Sequence, residues 1–166
     1  MPRHVETALV ILDEAMGIER EGQAFYLKAA GVAHDEKGQE MFRSLAAEEQ
    51  VHYDVLKRAH ASLSAGGGWI PPAIKPAPVN LARQLFPKGA RGLEAAAHPE
   101  SSERDALLFG LGIESRSFDL YRRSAEATAD ALGRQTFESL AAQEQTHFDL
   151  LMMRFDSLFG SVTWQY

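Results

Sequence analysis

Four glutamates and two histidines recur in this chain as a matched set: Glu19 with Glu114, Glu49 with Glu144 and His52 with His147, each pair 95 positions apart. Residues 17–58 can be laid on residues 112–153 without a gap, and 17 of the 42 aligned pairs are identical. Carboxylate oxygens with imidazole nitrogens suit divalent iron or manganese, and zinc or cobalt also accept them. On a helix, positions i and i+3 lie roughly 60° apart around the axis, so Glu49 with His52, and Glu144 with His147, each present two donors on one face. One inward glutamate from each of two helices, with a Glu-x-x-His pair from each of two others, is the ligand inventory of di-iron and di-manganese four-helix proteins. The chemistry this points to is a dinuclear metal site across a pseudo-two-fold axis.

Symmetry assigns the roles. Glu49 and Glu144 are expected to bridge the two metals, Glu19 and Glu114 to hold one each, and His52 and His147 to add one nitrogen to each. Four carboxylates balance two divalent cations, so the reduced site is neutral inside a low-dielectric core. Tyr26 and Tyr121 follow Glu19 and Glu114 by seven positions, two helical turns along the same stripe. Each is expected to donate its hydroxyl to a ligand carboxylate and so tune the site, the alternative being an ordinary core aromatic.

A single Glu-x-x-His is ordinarily a solvated face with an incidental histidine. Two copies at a fixed offset, set within apolar stripes, argue against that reading. His4, His34, His60 and His98 have no counterpart in the repeat and are expected at the surface. Glu48 sits beside Glu49 but about 100° around the helix, and its counterpart is Gln143; it is not expected to be a ligand. Met152 and Met153 are expected to fill gaps in a core or an interface.

The elements that must position these residues follow from proline placement and periodicity. Apart from Pro2, every proline lies between positions 71 and 99, in a segment that also holds Gly66, Gly67 and Gly68. The rest is free to be helical. Leu9, Leu12, Met16, Glu19, Gln23, Tyr26 and Ala30 alternate in steps of three and four, one continuous helical stripe. Leu107, Leu111, Glu114, Phe118, Tyr121 and Ala125 repeat it. Phe42, Leu45, Glu49, His52 and Leu56 form a third stripe, matched by Phe137, Leu140, Glu144, His147 and Leu151.

These stripes predict helices over about residues 6–32, 36–63, 100–128 and 131–159, with Asp35 and Asp130 as N-caps of the second and fourth. The fold class is all-α: a single four-helix domain of two antiparallel hairpins, with residues 1–63 forming the first, 64–99 a long crossover, 100–159 the second hairpin and 160–166 a tail. A short helix is expected over residues 80–86, capped by Asn80, with Trp69, Ile70 and Phe86 pinning the crossover to a bundle face or to a second subunit.

Composition narrows the function further. A formal charge of -6 disfavours nucleic acid and anionic membrane surfaces as partners. The longest aliphatic run, residues 8–12, is too short for a membrane span or a signal-peptide core, so the cytoplasm is the expected location. The absence of cysteine excludes disulfides, iron-sulfur clusters and a rubredoxin-type centre within this chain. Electrons must therefore come from an external donor.

The paired Glu-x6-Tyr and Glu-x-x-His motifs resemble the ferritin-like superfamily, and most of all its rubrerythrin branch. The resemblance covers nearly the whole chain outside residues 64–99. It implies a non-haem di-iron protein that reduces hydrogen peroxide or handles dioxygen, often as a homodimer, with metal ligands at Glu19, Glu49, His52, Glu114, Glu144 and His147. Ser117 stands where the usual rubrerythrin carries a second glutamate, three positions after the third-helix ligand, and the family's carboxyl-terminal rubredoxin domain is not expected here. The one-histidine-per-metal set is closer to bacterioferritins, but Gln50 replaces the methionine that ligates haem there, so no haem is expected. A dimer, helped by Trp164 and Tyr166 packing on a neighbour, is expected. Three functions follow: a di-iron oxidoreductase acting on peroxide or dioxygen, a ferroxidase or iron-handling protein, and a non-catalytic bundle stabilised by metal.

Overall fold

The long proline-free stretches fold as their periodicity dictates. A computed structural model of the chain describes residues 3–74 and 101–160. Among these residues there are four helices and no strand: α1 (Arg3–Val32), α2 (Glu36–Ser64), α3 (Ser101–Ala127) and α4 (Ala131–Phe159). α1 packs against α2 and α3 against α4, while α1 also flanks α3 and α2 faces α4. This is an all-α four-helix bundle of two paired hairpins.

Local chemistry sets the helix ends. The Asp35 carboxylate accepts the Gly38 N–H at 2.8 Å, and Asp130 accepts those of Leu132 and Gly133 at 2.9 and 3.1 Å. Each cap satisfies donors that the first turn leaves unpaired, which is worth about 1 kcal/mol. α2 stops where Gly66 takes φ +78°, with the Gly66 N–H on the Leu63 carbonyl at 3.0 Å and the Gly67 N–H on that of Ser62 at 2.9 Å. Only glycine adopts that backbone cheaply, and the two bonds pair the last carbonyls of the helix.

The apolar stripes meet in two clusters, one at each end of the bundle. The first gathers Tyr26, Met41, Phe42, Leu45, Leu107 and Leu151, and the second Leu12, Leu56, Tyr121, Phe137 and Leu140. Between them lies the layer in which acids and histidines interrupt the stripes. Met153 packs on the first cluster.

Different chemistry closes the two ends. Beside the α1–α2 turn, buried Arg154 donates from Nε and Nη2 to Glu103 at 3.0 and 2.7 Å, and from Nη1 and Nη2 to Asp35 at 3.1 and 2.9 Å. Glu103 also accepts the His34 N–H at 2.8 Å. Gly38 makes room for this network, since a Cβ there would lie 2.7 Å from Arg154 Nη2. At the opposite end Trp69 meets the Phe137 ring edge-on at 5.5 Å and covers Gly133, the repeat counterpart of Gly38. Trp69 thus pins the start of the crossover to its own bundle. The expected helix over residues 80–86, with Asn80 and Phe86, lies outside the described residues, as do His98, Trp164 and Tyr166. His4 and His34 are exposed, and His60, 29% exposed, pairs with Asp13 at 3.3 Å. No helix among the described residues is long and apolar enough to cross a membrane.

Candidate metal centre

α1 brings Glu19, α2 brings Glu49 and His52, α3 brings Glu114, and α4 brings Glu144 and His147 into the mid-bundle layer. All six side chains are at most 2% exposed. They form two overlapping groups: Glu19, Glu49, His52 and Glu144, and Glu49, Glu114, Glu144 and His147. Within each group one donor atom per residue lies within 4.8 Å of all the others, a span that a cation with bonds of about 2.0–2.6 Å can serve. Glu49 and Glu144 belong to both groups, as a bridging role requires.

The fit to cations rests on atoms left without partners. Buried polar atoms in native proteins are nearly always hydrogen-bonded. Here Glu49 Oε1, Glu114 Oε2, both Glu144 oxygens, His52 Nδ1 and His147 Nδ1 are buried and lack a hydrogen bond. Nδ1 of His52 lies 2.9 Å from Glu144 Oε1, yet off the geometry of a hydrogen bond. The two imidazoles run nearly parallel, 17° apart with centroids at 5.3 Å. Their other nitrogens point outward and are partnered: His147 Nε2 by Glu48 Oε2 at 3.0 Å, and His52 Nε2 by Gln143 Oε1 at 2.9 Å. With Nε2–H donated outward, Nδ1 is the nitrogen each ring turns to the interior, where it can hold a proton or a cation.

The tyrosines lock the acids from across the bundle. Tyr26 of α1 donates to Glu114 of α3, and Tyr121 of α3 donates to Glu19 of α1. The two contacts are images of each other under the 95-residue offset. Burial, then the charge of Glu114 for Tyr26 and of Glu19 for Tyr121, holds both phenols well above their ordinary range, so they stay protonated as donors.

Electrostatics describes a metal-free cluster that neutralises itself with protons. Burial, reinforced by Glu49, pushes Glu19 from 4.5 up to about 8. Burial and then Glu49, Glu19 and Glu114 raise Glu144 well above its ordinary value. Burial acts upward on Glu49 too, but close contacts with Glu19, His147 and His52 outweigh it and hold Glu49 below the usual carboxylate range. For the histidines burial acts downward and the surrounding carboxylates prevail, Glu144 foremost at His52 and Glu114 foremost at His147; both are raised. Protons occupy the role that two cations would take over.

Two further features were not recognised as functional in the sequence. Glu48 lies outside both donor groups, but it orients His147; burial acts upward on it, and the His147 contact overrides this and keeps it ionised. The signal was its place one turn before His52, matched by Gln143 one turn before His147. The second feature is a groove of about 480 Å³ between α1 and α3, lined in part by Ile18, Gly22, Phe109 and Ile113 and in equal part by charged residues, Glu21, Arg116 and Arg123 among them. A Cβ on Gly22 would lie 3.5 Å from Cδ of Glu49, so the groove floor adjoins the cluster through a position without a side chain. The repeat counterpart of Gly22 is Ser117, itself buried.

No curated protein and no solved structure matches the chain significantly. The model of the rubrerythrin family, however, matches residues 11–153, which span all six convergent donors and both tyrosines. The chain belongs to the rubrerythrin family.

Proposed function

We propose that the protein is a non-haem di-iron oxidoreductase that reduces hydrogen peroxide or dioxygen at a site held by Glu19, Glu49, His52, Glu114, Glu144 and His147. The observation that carries this reading is the convergence of unpartnered buried donors into two overlapping groups with two shared carboxylates. Family membership supports iron as the metal. Held there, a ferrous pair would supply the two electrons that turn hydrogen peroxide and two protons into two waters, and an external donor would return them.

The chain's own residues supply the setting. Glu49 and Glu144, common to both donor groups, would hold both ions, and Glu19 and Glu114 are kept in place by Tyr121 and Tyr26. The phenol protons remain within the layer, donated to the Glu114 and Glu19 carboxylates. The groove over Gly22 gives a small oxidant an approach to the Glu49 side, between apolar Phe109, Ile113 and Leu120 and charged Glu21, Arg116 and Arg123. Ser117, in place of a further carboxylate, leaves the donor set at four glutamates and two histidines, which keeps the reduced pair neutral.

The test is anaerobic mixing of the diferrous protein with hydrogen peroxide in a stopped-flow instrument. Oxidation of two ferrous ions per peroxide, faster than for free ferrous iron, is the expected result. Peroxide loss no faster than with free ferrous iron would overturn the proposal. Continued iron uptake beyond two ions per chain would support iron handling instead.

A further inference from the structure

The repeat makes the inside of the bundle two-fold symmetric in contacts but not in charge. The offset of 95 carries the Tyr26–Glu114 contact onto Tyr121–Glu19 with identical residue types. It also carries the Glu48–His147 contact, 3.0 Å, onto Gln143–His52, 2.9 Å, and here the acceptor changes from a carboxylate to an amide. Both acceptors take the same outward nitrogen at the same range. The difference is one negative charge, placed behind one imidazole and not the other.

We propose that Glu48 makes the two metal positions unequal, so that the position served by Glu114 and His147 takes up a divalent cation first and more tightly than the one served by Glu19 and His52. This rests on reading the six residues as metal ligands. A carboxylate accepting from Nε2–H polarises the ring more strongly than an amide oxygen does, which raises electron density at Nδ1 where the cation binds. Glu48 is also 26% exposed at its side chain, while its contact to His147, 2% exposed, is sheltered, so solvent weakens but does not erase the added charge. Gly22 against Ser117 and Gln23 against Phe118, neighbouring breaks in the symmetry of α1 and α3, add no charge to either side. Outer hydrogen-bond partners of metal-bound histidines typically change affinity about 10–100-fold, and that is the separation expected here.

The test follows both imidazoles during zinc titration of the metal-free full-length protein labelled with 15N at histidine. In the unaltered chain the first equivalent of Zn2+ should shift the His147 ring, and the second the His52 ring. Gln143→Glu should make the two respond together. The double variant Glu48→Gln with Gln143→Glu, which keeps composition and charge, should reverse the order, so that repulsion between neighbouring cations cannot imitate the result. Simultaneous response in the unaltered chain, His52 responding first, or an order that the exchange leaves unchanged would overturn the proposal. Failure of either ring to respond to zinc would instead overturn the metal reading on which it rests.

Discussion

The two hairpins match each other in the donor layer and part ways at the two ends of the bundle. Glu19, Tyr26, Glu49 and His52 on one side meet their equals Glu114, Tyr121, Glu144 and His147 on the other, with hydrogen bonds that cross between hairpins in matched pairs. Outside that layer, Gly38 lies under the Arg154–Glu103–Asp35 network and its counterpart Gly133 lies under Trp69. The same position thus admits an ion network at one end and an indole at the other. Packing has many solutions, and buried acids around a shared centre have few.

The largest effect should come from breaking the shared part. Glu49→Ala and Glu144→Ala should each lose most of both metals by elemental analysis, whereas His52→Ala and His147→Ala should each lose mainly one. A bridging-residue variant that kept two metals per chain would contradict the assigned roles. Arg154→Ala comes next, because it leaves Glu103 buried without its cation; a loss of about 3–5 kcal/mol in urea unfolding is expected. Trp69→Ala at the other end should cost about 1–3 kcal/mol, since Trp69 is only partly buried. Equal losses at the two ends would show that the ends are more alike than their contacts.

pH sharpens the comparison between metal-free and metal-loaded protein. Glu19 rises from 4.5 to about 8 in the folded metal-free chain, so folding takes up a proton there. That contribution is fully present below about pH 4.5 and is lost as pH climbs through about 8. Raised His52 and His147 act in the same sense, their contributions present below 6.5 and lost as pH rises through their folded values. Metal binding replaces these protons, so the gap in Tm between loaded and metal-free protein should widen from pH 5 to pH 8. A constant gap would show that protons and metal do not share the site. The smallest effect is expected of Tyr26→Phe and Tyr121→Phe, which should leave metal content intact and alter the oxidation rate to a similar extent, as stopped-flow mixing would show.

Much of the fold was legible because two signals coincided: stripes in steps of three and four, and prolines confined to one segment. α2 and α4 start at the expected residues beyond Asp35 and Asp130, and α1 begins three residues before the expected position 6. The gathering of the six donors was legible for the same reason, since each interrupts the middle of a stripe that must face inward. What was not legible depends on register between helices. The stripe placed Tyr26 above Glu19, but its hydroxyl reaches Glu114, which only the antiparallel alignment of α1 with α3 determines. Glu48 looked like a bystander on its own helix and finds His147 only through the alignment of α2 with α4. Arg154 and Glu103 have no counterparts in the repeat, and nothing in the spacing of 51 residues announced their pairing.

The central claim, that these six residues surround two cations, is tested most directly by anomalous diffraction at the iron edge from crystals of protein purified without added metal. Two peaks about 3.5–4 Å apart are expected, both flanked by Glu49 and Glu144, one beside Nδ1 of His52 and the other beside Nδ1 of His147. An absence of any anomalous peak in the mid-bundle layer at the edges of iron, manganese and zinc, or a single ion bound by only one of the two donor groups, would contradict it.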